Sequence, residues 1–349
     1  MISLSAMALA LVLSGSGVFT TTADRAVSRE TESEELVLDL MGNVSVTDGE
    51  VTVTSDTGTV WQVSGDAVFH SNVTVVADTL TGTSEYLQYV KSTGVITMTG
   101  DVVLTDGETV LEAQEVVYFR ASGKATARED VLLTGPDVGS VEGQYALYDR
   151  ERGSLFVTVD PVMRRVENGD SVTVTADRLE FFPETNSAEA QGNAFVDMPA
   201  RDFTARSEYL KYMGEEDRFE LFGSPEIQSE EGEMSGDWIE ITLDSSGDPE
   251  EVRIQGNAGG YFLDTGVAPP AETWFSSETA FFSFDQSSPD SVSLSGNATL
   301  RMKSGGEAAS RSEMNTVRGD NFRISFQDGK AVEVIVFGYV SGTYSYMGD

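Results

Sequence analysis

The chain has 349 residues, no cysteine and a single histidine, His70. The missing cysteine excludes disulfides, thiolate metal sites and cysteine nucleophiles together. One histidine is too few for a zinc site built on imidazoles. A serine triad would have to rest on His70 in "AVFHSNV", and no G-x-S-x-G supplies its partner. His70 therefore reads as a surface or turn residue. Bases are scarce as well: 22 Lys and Arg stand against 58 Asp and Glu, a formal net charge of -36. Such a surface repels phosphate backbones, so nucleic acid is excluded as a partner. It also repels anionic membrane surfaces. The charge reads as a device for solubility, with divalent-cation binding as the alternative.

The catalytic and cofactor signatures are missing too. There is no phosphate-binding glycine loop, no EF-hand loop and no G-G-x-G-x-D calcium repeat. Runs such as Glu34–Glu35, Glu215–Glu216–Asp217 and Glu230–Glu231 are expected in so acidic a chain. Glycosidase chemistry would need two carboxylates at a defined separation across a cleft, which these runs do not specify. The expectation is no enzyme, no cofactor and no metal.

What is present begins with "ISLSAMALALVLSGSGVF". It has an apolar centre from Ala6 to Leu13 followed by small residues. This resembles a secretory signal, although no Lys or Arg precedes Arg25. The apolar run is short for a membrane span, which needs roughly 20 residues. Residues 1–23 are read as a signal peptide with export to the periplasm, an uncleaved anchor being the alternative. Residues 24–35 are read as a polar linker, and 36–349 as one continuous array with a possible subdivision near 200. Longer loops are expected at 264–274, around Pro269–Pro270, and at 302–319.

The array rests on repetition. In "ITMTGDVVLTDGETVLEAQEVVYF" (96–119), apolar and polar residues alternate at the period of a half-buried strand. A glycine interrupts the first run, and Asp106–Gly107 reads as a tight type I′ hairpin. The first half recurs around Gly42, Gly65, Gly100, Glu129, Val159, Gly192, Gly223, Gly256, Gly296 and Gly338. From Gly65 to Gly256 the intervals are 35, 29, 30, 33, 31 and 33 residues, and the last two are 40 and 42. The second half recurs as "TSEYLQY", "AQEVVYF", "EGQYALY", "ADRLEFF", "RSEYLKY", "SGDWIEI", "SSETAFF" and "RGDNFRI". Val, Thr, Ile, Tyr and Phe dominate these runs, and glycines break them, which excludes helices. The prediction is an all-β chain of ~30-residue repeats that stack to complete a shared core. At ~4.8 Å per strand, with the strands shared between two faces, the body would be elongated, about 80–90 Å.

The first seven of these repeats end on an aromatic residue or Ile: Tyr89, Phe119, Tyr148, Phe182, Tyr212, Ile241 and Phe282. This row has two readings. It is core packing, or it lines an apolar groove for a long ligand such as an acyl chain.

The pattern "GNVSV…GDAVF…GDVVLTDGETVLEAQEVVYF", with "VTADRLEFF" and "FTARSEYLKY", resembles the OstA/LptA family of periplasmic lipopolysaccharide-transport proteins. The resemblance covers about residues 39–345. It implies a β-jellyroll of V-shaped cross-section, open along one side. It implies that acyl chains of lipopolysaccharide or a similar lipid are held inside. It also implies edge-to-edge β stacking with other lipopolysaccharide-transport proteins. The alternatives are a structural β-solenoid such as a surface adhesin, and a carboxylate-based polysaccharide enzyme.

Overall fold

A computed structural model of the chain describes residues 20–345 apart from 32–34, 48, 137–138, 168–169, 231, 265–268, 286–287, 306–313 and 328–329. The expected signal segment before residue 20 lies outside the described residues, as do parts of both long loops. The described residues form β-strands and two short 3-10 turns at Pro183–Thr185 and Pro199–Arg201, with no α-helix. Among the described residues no helix is long and apolar enough to cross a membrane.

The chain divides into two compact units, residues 1–165 with 177–186, and residues 166–176 with 187–349. The division lies before residue 200. The first unit holds β1 (Thr20–Thr22), β2 (Arg25–Glu30), β3 (Leu36–Thr47), β4 (Val51–Trp61), β5 (Ala67–Ala77), β6 (Leu80–Val90), β7 (Val95–Thr105), β8 (Val110–Phe119), β9 (Lys124–Gly135), β10 (Gly139–Asp149), β11 (Ser154–Thr158), most of β12 (Val162–Glu167), and β14 (Arg178–Phe182). The second holds β13 (Asp170–Thr175), β15 (Ser187–Met198), β16 (Phe203–Met213), β17 (Arg218–Phe222), β18 (Glu226–Ser229), β19 (Gly232–Ser235), β20 (Trp238–Leu243), β21 (Pro249–Asp264), β22 (Ala271–Asp285), β23 (Ser288–Lys303), β24 (Met314–Gln327), β25 (Lys330–Phe337) and β26 (Ser341–Ser345). Residues 25–30, inside the expected linker, thus form a strand. So do 271–274 and 314–319, inside the expected loops.

The strands pair antiparallel, each long one with its sequence neighbours: β3 with β4, β4 with β5, and on to β9 with β10. Every such pairing breaks once in mid-strand. The break coincides with two successive residues at positive φ, as at Gly42–Asn43, Gly100–Asp101, Gly192–Asn193 and Gly256–Asn257. Two left-handed residues in a row bend the strand sharply, and the halves on either side belong to different half-sheets. The first corners fall at 42, 71, 100 and 129, a spacing of 29 residues. In that repeat the corner is Ser71–Asn72, not the expected Gly65. Gly65 instead sits in the β4–β5 turn, its N–H donating to the carbonyl of Trp61 at 2.8 Å.

The facing strand at each corner carries a small residue followed by an acid or amide: Ser55–Asp56, Ser84–Glu85, Ala113–Gln114, Gly236–Asp237, Ser277–Glu278. The small residue turns inward, and Ser55, Ser84 and Ser207 are buried. The hydroxyls of Ser55, Ser84 and Ser277 donate to the carbonyl two residues on, at 2.9, 3.0 and 2.9 Å. The following side chain then reaches over the neighbouring corner. Asn72 donates to Asp56 at 2.8 Å, Gln114 to Asp101 at 3.1 Å and Asn297 to Glu278 at 3.0 Å. The acidity of the chain is therefore partly architectural: its carboxylates hold the bends.

The expected tight hairpin at Asp106–Gly107 is a four-residue loop between Thr105 and Val110. The Asp106 carboxylate accepts from the backbone N–H groups of Glu108 and Thr109 at 3.1 and 2.8 Å, which replaces the type I′ geometry.

Candidate functional site

Alternation along each bent strand sends one side-chain row inward and the next outward. In the first unit one inner ladder runs Ala67, Tyr89, Ile96, Tyr118, Ala125, Tyr148, Leu155, Phe181 through direct cross-strand pairs. Aromatic residues from one strand alternate with smaller ones from the next, so the row interdigitates. A second inner ladder lies nearer the corner, through Phe69, Leu87, Met98, Val116, Ala127, Ala146 and Val157, all buried. Neither ladder carries a charged residue. Among the described residues the buried charged ones are Asp149, Glu180 and Glu240, which lie in outward rows.

The expected row meets this geometry in part. Tyr89, Tyr148, Ile241 and Phe282 point inward and are buried. Tyr212 belongs to the same inner row and is half-buried, stacked on Phe219 at a centroid distance of 4.7 Å. Phe119 and Phe182 do not join it. Phe119 is 39% exposed on the outer face, and its neighbour Tyr118, 6% exposed, takes the inner place. Phe182 is likewise displaced by the buried Phe181. The sequence held a signal for the correct phase: the inner residue lies five positions after the small corner residue, as in Ser84 to Tyr89, Ala113 to Tyr118 and Ala176 to Phe181.

Burial raises the phenol pKa values of both Tyr118 and Tyr148 above the ordinary tyrosine value. The two half-sheets of the first unit meet around a narrow apolar cavity of about 30 Å³, lined by Leu104, Leu111 and Leu133 from one half and by Val116, Ala146, Tyr148 and Leu155 from the other. In the second unit the inner residues Val196, Met198, Phe203, Tyr212 and Phe219 are only half-buried. Farther along, Phe275 and Phe282 bring the two half-sheets into edge contact at 5.5 Å.

The outer surface carries charged pairs. Arg178 and Arg152 pair with buried Glu180, which also accepts from the Ser154 hydroxyl at 2.9 Å. Arg218 and Arg253 flank Glu240, each at 3.5 Å. His70 is exposed and packs its ring 4.9 Å from that of Tyr86. Among the described residues no cluster of three or more His, Asp or Glu could hold a metal ion.

The C-terminal edge differs from the rest. Val332, Val334 and Phe337 on β25 and Tyr344 on β26 are exposed, as is Val340 between the two strands, and Tyr339 there is 96% exposed. Val334 pairs with buried Ile324, so among the described residues the inner ladder reaches exposed side chains at this edge.

Comparison with known proteins bears on this geometry. Residues 20–124 match the model of the family described as LptA/(LptD N-terminal domain) LPS transport protein. Among solved structures the chain is similar to LptH of Pseudomonas aeruginosa, described as the LptA homologous periplasmic component of the conserved lipopolysaccharide transport device. The identity is 15%, covering 38% of this chain and 75% of that one, with a TM-score of 0.20. No curated protein matches. The matched stretch is OstA/LptA-like, as the repeat motifs imply.

Proposed function

We propose, from the OstA/LptA-like domain at residues 20–124 as premise, that this chain is a non-enzymatic periplasmic carrier for lipopolysaccharide or a comparable acylated lipid. The observation that carries the reading is an inner row of aromatic and aliphatic side chains, unbroken by charge and lined from two half-sheets. Acyl chains gain from leaving water at about 0.8 kcal/mol per methylene, and this interior asks for no polar match. The strongly acidic outer face disfavours a grip on lipid phosphates, so the acyl chains carry the recognition. In the first unit this requires the packed rows to separate. In the second, the half-buried Met198, Phe203 and Tyr212 already offer apolar surface.

The same reading gives the chain its neighbours. An exposed, apolar edge strand is a template for pairing. Among the described residues the first corner is acid-bearing, at Asp24, and the last is a glycine corner, at Gly338. Within the chain these two corner types alternate from strand to strand. A C-terminal edge set against the N-terminal edge of a second copy, or of another transport protein built on the same repeat, continues that alternation without a fault.

One observation favours the structural alternative, a β-solenoid of the cell surface: the apolar cavity between the half-sheets of the first unit holds no more than a water or two. Native mass spectrometry of the purified chain after incubation with rough lipopolysaccharide separates the two. A one-to-one adduct is expected for a carrier. A chain that stays ligand-free over a wide concentration range contradicts it.

A further inference from the structure

The interior of each unit is closed at the corner and bounded on the other side by the ends of the two half-sheets. In the second unit a side-chain contact bridges those ends. Phe262 lies near the end of β21, on the inner side of one half-sheet, two residues beyond Gly260 and four beyond buried Ala258. Phe326 lies near the end of β24, on the inner side of the other half-sheet, beyond buried Phe322 and Ile324. Their ring centroids are 6.4 Å apart at 67°, an edge-to-face contact. Both rings are half-buried.

The two strands are not neighbours: β21 pairs with β22, β22 with β23 and β23 with β24. No backbone hydrogen bond therefore ties Phe262 to Phe326. On its own half-sheet the strand end is held firmly. Phe262 pairs with Thr273 in the ladder, and Lys303 bonds Glu272 at 2.8 Å across the next pair. The rings can part without breaking any ladder. In the first unit the described ring contacts, His70–Tyr86 and Tyr145–Phe156, join adjacent strands on the outer face and bridge nothing.

We propose that Phe262 and Phe326 form a latch across the mouth of the second unit, and that it opens to admit a single acyl-chain ligand into the apolar interior behind it, where Phe275 and Phe282 stand. The proposal rests on the carrier function. It adds the entry point and a closed resting state.

The absence of cysteine makes the test clean. The double variant Phe262→Cys/Phe326→Cys is reacted either with o-phenylenedimaleimide, a short rigid bridge, or with N-ethylmaleimide, which caps each thiol separately. Uptake of rough lipopolysaccharide is then followed by native mass spectrometry. The bridged protein is expected to load at least tenfold more slowly than the capped one, and Phe262→Ala/Phe326→Ala to load faster than the wild type. Equal rates for bridged and capped protein, or an unchanged rate in the alanine variant, overturn the latch while leaving the carrier reading intact. A wild-type chain that takes up no lipopolysaccharide overturns the carrier reading, and the latch with it.

Discussion

The side-chain amide of Asn257 donates to both carboxylate oxygens of Asp237, at 3.1 Å each. Asp237 in turn lies directly over Gly256, where a Cβ would collide with its carboxylate. Gly256 and Asn257 are the two left-handed residues of one corner. The pair shows why the repeat is written as glycine then Asn on one strand and a small residue then an acid on the next. Asn257→Leu removes the amide and leaves a bulky residue in the left-handed region, costing about 1–2 kcal/mol. Gly256→Ala forces the carboxylate aside and costs a similar amount. Urea unfolding of both variants measures it, and in a double-mutant cycle Asp237→Ala should relieve the part of the Gly256→Ala penalty that comes from the collision, the left-handed strain remaining.

Val159 occupies a corner at φ 63°, a region a β-branched residue adopts only under strain. It is largely exposed, so little packing is lost on removing its side chain. Val159→Gly should stabilise the protein by about 0.5–1 kcal/mol, the relief of strain outweighing the entropy of the unfolded glycine. Thermal or urea midpoints decide the sign.

Tyr118 and Phe119 are adjacent and face opposite ways. Tyr118→Ala opens the inner ladder and should cost about 3–5 kcal/mol. Phe119→Thr, on the outer face, should change stability by about 0.5 kcal/mol or less. Comparable losses at both positions would contradict the register described.

Asp149 holds Lys124 at 2.8 Å and accepts from the backbone N–H of Glu151 and Arg152. The hydrogen bond from Lys124 is the chief cause that keeps its carboxyl below the ordinary aspartate value. A carboxyl depressed in the folded state stabilises above the unfolded pKa of about 3.9. That contribution is lost as pH falls from there through the folded value. Lys124→Met should therefore lower stability at pH 7 by a fraction of a kcal/mol, the lysine being partly exposed. It should also weaken the pH dependence below about pH 4, which urea titrations at pH 7 and pH 3 would register.

Much of the fold was legible because its period is written twice, once in the corners and once in the inner row. The phase was harder to read. At "AQEVVYF" and "ADRLEFF" two aromatic residues stand side by side, and hydrophobicity alone does not say which is inside. The corner residue does: five positions on from Ala113 is Tyr118, and five on from Ala176 is Phe181. The corner at Ser71–Asn72 was masked by the glycine at 65, because serine takes the left-handed place there at a conformational cost that composition does not reveal. The contact between Phe262 and Phe326 joins positions 64 residues apart in different repeats, and no local pattern encodes it.

The central claim is that lipid lies inside the bent strands and not upon them. A photoreactive benzophenone side chain placed at Tyr148, on the inner ladder, or at Phe119, on the outer face, tests this in the full chain exposed to rough lipopolysaccharide. Illumination should yield a covalent lipopolysaccharide adduct at position 148 and none at 119. Adducts at 119 alone, or equal labelling at both positions, would contradict the account.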